Sequence, residues 1–343
     1  MIELLNVLYV QTQGAVVAMD HDAVRVEVEH ETRLRVPVLR LSALVAIGRV
    51  TVTPYVIERF AQDGRSIVWL DNRGRFRARI EGPTRGNVLL RRAQHLTLDD
   101  EAKTRAIAVR MVVGKIQNSR MMLLRAAREA ASESDEGVLR KSAERLAAAL
   151  AHIHGAGSMA EVRGIEGEAA RAYFEAFGSM VRVDRSDFPF DRRSRRPPRD
   201  RTNALISFLY ALVLAECSAA LEGVGLDPQV GFLHVLRPGR PALALDLLEE
   251  LRPALADRLA LRLINRRQVT AKSFDELPGG AYLLNEDGRR EVLVAFQRRK
   301  EEMVPHRLLQ RSIQVGLLPH IQARLLARHL RRDLAEYPPY VGR

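Results

Sequence analysis

Apolar and polar positions alternate through the first eighty residues. Leu4 to Val10, Ala15 to Met19, Val24 to Val28 and Arg33 to Val36 switch faces at short intervals and are rich in β-branched residues. These spans predict strands, punctuated by Gly14 and by Asp20-His21-Asp22. Thr53-Pro54 supplies an N-cap and a first-turn proline, and Gly64 a stop, so Tyr55 to Asp63 reads as a short helix. Two more strands, Ser66 to Leu70 and Phe76 to Ile80, flank a turn at Asp71-Asn72-Arg73-Gly74. Glu81-Gly82-Pro83-Thr84-Arg85-Gly86 then breaks the pattern.

Beyond that break the apolar residues recur at helical spacing. Thr97 with Asp100 resembles a capping box opening a long helix through Ala130. Further helices are expected over Val138 to Ile153, Ser158 to Phe177, Asn203 to Leu221, Pro241 to Leu263, Glu291 to Val304 and Leu308 to Arg332. The pattern predicts an α+β protein: a small β-rich domain over 1–82, a linker over 83–96 and a larger, mostly α-helical domain over 97–343. The apolar run from Ala204 to Ala215, ended by Glu216, falls short of the roughly 20 residues a bilayer span needs. No basic segment followed by an apolar one opens the sequence, and Cys217 is the single cysteine, so the expected setting is the cytoplasm, with no membrane.

Charge changes this picture. Lys and Arg number 54 against 42 Asp and Glu, a net of +12, which points to a polyanionic partner. Only five of those cations are lysines (Lys103, Lys115, Lys141, Lys272 and Lys300). The rest are arginines, whose planar forks grip phosphate oxygens bidentately, although an arginine-favouring codon bias gives the same ratio. Residues 185–201 concentrate seven arginines against three aspartates among Pro189, Pro197 and Pro198, a basic loop expected to be mobile or to order on binding. In that loop Arg192, Arg193, Arg195 and Arg196, and further on Arg298, Arg299, Lys300, Arg307 and Arg311, are candidate phosphate contacts; the bland alternative is solvated surface.

Helical spacing puts Glu166 on one face with Ala169, Ala170, Tyr173 and Phe177. A carboxylate there needs a cation, strong donors or a proton, and a structural Glu–Arg pair meets that need as well as a ligand site does. His234 sits in the apolar stretch Val230 to Leu236, where a hydrogen-bonded core histidine is the ordinary outcome. Asp246 and Glu249 lie at i and i+3 on one helix face and repel unless a cation intervenes; Arg252 is within reach as a structural partner. Carboxylates with a single imidazole suit Mg²⁺ or Mn²⁺ better than zinc. No HExxH, CxxC, Walker A or GxSxG motif occurs.

Several of these segments resemble a known family in order and at compatible distances. They are Gly164-Ile165-Glu166-Gly167 with Ala169-Ala170-Arg171 and Tyr173-Phe174, Arg196-Pro197-Pro198 leading to Asn203-Ala204-Leu205-Ile206-Ser207-Phe208, Gly231-Phe232-Leu233-His234, and Leu245-Asp246-Leu247-Leu248-Glu249. Together they resemble the CRISPR-associated adaptation integrases, the first-numbered Cas endonucleases. The opening Leu4 to Gly14 is similar to the subtype I-C branch. The resemblance implies a metal-dependent DNA endonuclease and integrase that inserts foreign fragments as new spacers into a CRISPR array. It further implies an N-terminal β-domain used for homodimerisation, and a small second adaptation protein bridging two dimers. It places Glu166, His234 and Glu249 around one Mg²⁺ or Mn²⁺, with Asp246 close by as a further catalytic candidate; many relatives carry Asp where this chain has Glu249, so the direct ligand of the last two stays open. The tail Glu336-Tyr337-Pro338-Pro339-Tyr340 is expected to be disordered, or to dock on the partner or the fragment end. A branched-DNA repair nuclease and a non-catalytic DNA-binding scaffold are the rival functions.

Overall fold

In the computed structural model of the protein, the described residues are 6–71, 76–80, 82 and 88–342. The turn expected at Asn72 to Gly74, the break at Glu81 and at Pro83 to Gly86, and Leu4 and Leu5 lie outside them. The chain divides into two compact units, residues 1–85 and 86–343.

The first unit carries two four-stranded sheets. Its elements are β1 (Asn6–Val10), β2 (Val16–Asp20), β3 (Ala23–Val28), β4 (Glu31–Pro37), β5 (Leu41–Ile47), β6 (Thr51–Val52), α1 (Pro54–Gln62), β7 (Ser66–Leu70) and β8 (Phe76–Ile80). One sheet runs β1-β5-β7-β8, parallel except at β8; the other runs β4-β3-β2-β6, antiparallel except at β6. Val17, Val24 and Val26 from one sheet and Leu8, Leu44, Ala46 and Ile67 from the other close a single core with Val56 and Phe60 of α1. Strand β5 escapes the alternation rule because it is central. Leu44, Val45, Ala46 and Ile47 are all buried, so no period of two is visible in the sequence. Helix α1 begins at Pro54 as expected, but Thr53 makes no side-chain capping bond.

The second unit is mostly helical: α2 (Val88–Leu98), α3 (Glu101–Arg128), α4 (Glu133–Ile153), α5 (Met159–Glu175), α6 (Arg201–Val224), α7 (Ala242–Arg252), α8 (Arg258–Asn265), α9 (Glu286–Glu301) and α10 (Leu318–Leu330). Two small hairpins, β9 (Phe274–Leu277) with β10 (Ala281–Leu284) and β11 (Met303–His306) with β12 (Arg311–Gln314), interrupt the series. The α+β class with a small β-rich part and a larger helical part is what the pattern predicts.

Several boundaries differ, each for a local reason. Residues of the expected linker form α2, whose Leu90 and Gln94 are buried. Helix α3 is capped by Asp100, which accepts from the Lys103 N–H at 3.0 Å, and not by Thr97. The helix expected from Pro241 to Leu263 is one line of chain, but Pro253 has no N–H to give, and a π-type turn over Pro253–Asp257 separates α7 from α8. The helix expected from Leu308 is replaced up to Gln314 by the β11–β12 hairpin. Helix α6 is 24 residues long and apolar enough by length and composition to cross a membrane, longer than the apolar run suggests. It is instead a core helix, apolar on nearly every side and packed against α7 and α10, and it stops at Gly225 in the left-handed region (φ 89°).

The tail is ordered, contrary to expectation. Tyr337 and Tyr340 are buried against α3, α7 and α10, and one carboxylate receives them. Glu250 accepts from the Tyr337 hydroxyl, from the Tyr340 N–H at 2.8 Å and from the Gln322 amide at 3.2 Å. Asn118 donates to the carbonyls of Glu250 (2.8 Å) and Tyr340 (2.9 Å), and accepts from the Gly342 N–H (2.9 Å). Gly114 makes this approach possible: a Cβ there would lie 2.9 Å from Pro339 Cβ and 3.0 Å from Glu250 Cβ. Burial pushes the Glu250 carboxyl up to about 7 even though all three donors favour its ionised form. Glu250→Ala would strand these donors in the core. It is expected to destabilise the protein by on the order of 3 kcal/mol in denaturant unfolding and to expose residues 336–342 to proteolysis.

Candidate active site

Three helices and one loop of the second unit meet around a group of charges. Helix α5 brings Glu166, α3 brings Lys115, α7 brings Asp246, Glu249 and Arg252, and residues 228–234 bring His234. Ala169, Ala170 and Tyr173 lie on the face shared with Glu166, as the spacing predicts, whereas α5 has ended before Phe177.

The loop is fixed from three sides. Gln94, fully buried on α2, accepts from the Asp227 N–H (2.9 Å) and donates to the carbonyls of Asp227 (2.9 Å) and Val230 (2.8 Å). Arg163 of α5 donates to the Leu233 carbonyl at 2.8 Å. Asp246, with no exposed surface, accepts from the N–H groups of Phe232 (2.6 Å), Leu233 (2.9 Å) and His234 (2.9 Å), and its Oδ1 lies 2.6 Å from His234 Nδ1. Nδ1 of His234 is the ring nitrogen turned to Asp246, which leaves Nε2 on the opposite side of the ring. That nitrogen lies 3.8 Å from Glu249 Oε1. Asp246 is thus spent on orienting the loop and the imidazole, an arrangement known around metal-binding histidines. Gly231 is required here: a Cβ would fall 2.6 Å from the Ala242 carbonyl carbon and 2.7 Å from Asp246 Oδ2.

Glu249 faces cations. Its Oε2 lies 2.7 Å from the Lys115 ammonium and also bonds Arg252, and Lys115 bonds Glu166 as well. Burial by itself would raise the Glu249 carboxyl; Arg252, Lys115 and His234 together outweigh it and lower it to about 2. The side chains of Lys115, Glu249 and Arg252 are 5%, 8% and 7% exposed, while Glu166 and His234 are 24% and 21% exposed, so the cluster opens on the side of the latter two. Among the described residues no three acidic or histidine side chains converge closely enough to cage an ion as they stand. The donor set nevertheless matches a hard divalent cation, and the ammonium shared by Glu166 and Glu249 already stands as a cation between them.

Behind the cluster, Asp257 accepts from the hydroxyls of Tyr210 (2.7 Å) and Tyr173 (3.0 Å). The Tyr210 ring has the guanidinium of Arg252 at 5.3 Å and that of Arg193 at 5.4 Å from its centroid. Arg193 also donates to Asn203 at 2.6 Å and to Ser207 at 3.0 Å. It therefore anchors residues 185–201 to α6, and is no free phosphate contact. Arg192, Arg195 and Arg196 are exposed, and with Ser194 and Arg199 they line an open depression of about 550 Å³. Arg298, Arg307 and Arg311 are likewise exposed. Arg299 and Lys300 are buried: Arg299 bonds Glu302 and the Ala254 carbonyl (3.0 Å), and Lys300 bonds Glu216 at 2.6 Å. Each already has a partner inside the protein, which removes both from the surface set. Sequence reasoning missed Lys115, Gln94 and Arg163. Only Lys115 left a trace, as a rare lysine set in the apolar stretch Val112 to Ile116.

The fold, a small β unit joined to a larger helical unit, is found in solved structures. The chain superposes on a casposase bound to integration product with a TM-score of 0.83 at 21% identity, covering 97% of this chain and 93% of that one. It superposes on a chain of a Cas6-RT-Cas1–Cas2 complex with a TM-score of 0.81 at 22% identity, covering 98% of this chain and 36% of that one. The family model described as CRISPR associated protein Cas1 matches residues 8–298. The CRISPR-associated endonuclease Cas1 1 of Moorella thermoacetica is 53% identical over 340 residues, 99% of each chain. The protein belongs to the Cas1 family. Gly231→Ala is expected to force α7 and the His234 loop apart, with a loss of about 2 kcal/mol or more in thermal or denaturant unfolding.

Proposed function

We propose that the protein is a metal-dependent DNA endonuclease and integrase that inserts foreign DNA fragments as new spacers into a CRISPR array. The observation that carries this reading is that three separate segments bring Glu166 and Glu249 onto one shared cation, Lys115, and set His234 Nε2 3.8 Å from Glu249. Membership of a family of CRISPR-associated endonucleases and the likeness of fold to a casposase support it.

In this reading Glu166, His234 and Glu249 hold one Mg²⁺ or Mn²⁺, and Asp246 keeps His234 Nε2 turned toward it. Such an ion, when bound, polarises a phosphoryl oxygen and offsets charge on the attacking or leaving oxygen. Arg192, Arg195, Arg196, Arg298, Arg307 and Arg311 contact phosphates without reading sequence and hold the duplex over the cluster. The fragment's 3′-oxygen forms a bond to the phosphorus at the repeat border as the bond to the 3′-oxygen of the departing strand breaks; the attacking hydroxyl gives up a proton and the leaving oxygen gains one. Water in place of that hydroxyl makes the same site a nuclease. The family complex containing Cas2 supports a small second adaptation protein as partner, and the β unit over 1–82 serves homodimerisation, with 97–343 as the catalytic domain. The likeness of the opening residues supports an I-C-like branch, and the reading sets the protein in the cytoplasm.

Strand transfer of a short duplex into a repeat-bearing plasmid, with Mg²⁺ or Mn²⁺ and the partner protein, tests the reading. Glu166→Ala and His234→Ala are each expected to lose about a hundredfold or more of the activity. Full activity in either overturns the site, and cleavage of forks and junctions with no need of a repeat favours the repair nuclease. Replacing Arg192, Arg195 and Arg196 with glutamine is expected to weaken DNA binding for all sequences and to reduce the salt slope by roughly two to three. Fluorescence anisotropy across a salt series measures it, and an unchanged slope removes the loop from the DNA surface.

A further inference from the structure

Lys115 lies between Glu166 and Glu249, two of the three residues that would hold the ion of the proposed site. Its side chain is 5% exposed, and its ammonium bonds Glu166 and, at 2.7 Å, Glu249. The two carboxylates come from different helices, α5 and α7, and Glu249 is almost fully buried. Without a cation between them they would repel in surroundings that screen charge poorly. Arg252 offsets only part of this, because it bonds Glu249 and sits on the far side against Tyr210.

Lys115 holds one oxygen of Glu166 and Oε2 of Glu249, while Oε1 of Glu249 faces His234 Nε2 at 3.8 Å. A divalent ion held by the same carboxylates would stand close to the ammonium and be repelled by it, so the two cations compete. The residue type is informative in this chain. Of 54 basic residues only five are lysines, yet a lysine stands at this point. Its charge sits at the end of a flexible four-carbon stem that can withdraw, whereas a guanidinium fork held bidentately gives way less readily.

We propose that Lys115 is a positioning residue that acts as a resident counter-cation: it holds Glu166 and Glu249 together in the metal-free protein and competes with the divalent ion for them. The inference rests on the metal-site reading above and adds to it a residue that regulates occupancy.

The test is Mn²⁺ binding to the purified full-length protein by titration calorimetry, with thermal melts in the absence and presence of Mn²⁺. Lys115→Met keeps length and loses charge; it is expected to bind Mn²⁺ roughly tenfold tighter or more than wild type. Its metal-free form should melt lower and gain more on adding Mn²⁺. Lys115→Arg, which keeps the charge on a less yielding group, is expected to bind Mn²⁺ more weakly. If Lys115→Met does not fold, Lys115→Gln carries the same expectation. Unchanged or weaker Mn²⁺ binding in the neutral variants overturns the proposal and leaves Lys115 a scaffold. Glu166→Gln and His234→Ala separate the two readings. If either keeps wild-type Mn²⁺ affinity, the metal site itself is wrong, whereas loss of binding in both with no tightening at Lys115→Met refutes only the counter-cation.

Discussion

The helical unit depends on neutralising two carboxylates at the junction of α3, α5 and α7. Glu166 and Glu249 project from different helices toward the same point, and the Lys115 ammonium bonds both. Charges so placed are tolerated only in balance, because the surrounding protein screens them far less than water does. Lys115 and Arg252 supply that balance on the buried side, while Glu166 and His234 keep the other side open. The same imbalance that a fold must neutralise is what gives such a site its affinity for a cation.

Helix α7 distributes that chemistry. Glu249 and Glu250 are neighbours, and both are buried, yet successive residues of a helix point about 100° apart. Glu249 faces two cations and an imidazole and is held well below the ordinary carboxylate range. Glu250 faces only neutral donors, those of Tyr337, Tyr340 and Gln322, and burial pushes it up. One turn earlier Asp246 receives three backbone N–H groups and the imidazole. A single eleven-residue helix therefore sets the carboxylate that Lys115 and Arg252 neutralise, aligns the histidine loop and clasps the tail.

The arginines divide by what they touch. Arg193, Arg252 and Arg299 are built into the interior through Tyr210, Glu249 and Glu302, and stiffen the unit. Arg192, Arg195 and Arg196 sit in the same stretch of chain as Arg193 but outside it, exposed. The half-buried Arg193 holds the loop in place while its neighbours stay exposed, so the loop is a positioned surface. Arg193 and Arg252 flank the same tyrosine, which ties the loop and the acidic cluster to one rigid element.

Much of this was legible in the order of residues. Alternation placed β2, β3, β7 and β8, and apolar spacing placed most helices. Ordered motifs singled out Glu166, His234, Asp246 and Glu249, because local periods and short spacings are written along the chain. Strand β5, hidden by being buried on both faces, and the tail, whose partner Glu250 lies ninety residues away, were not legible. Nor were the separate duties of Asp246 and Glu249, the burial of Arg299 and Lys300, the internal bonding of Arg193, or the place of Lys115. Each depends on which groups distant segments bring within a few ångströms, and the energy of a buried charge is set by those neighbours and not by its own position in the chain.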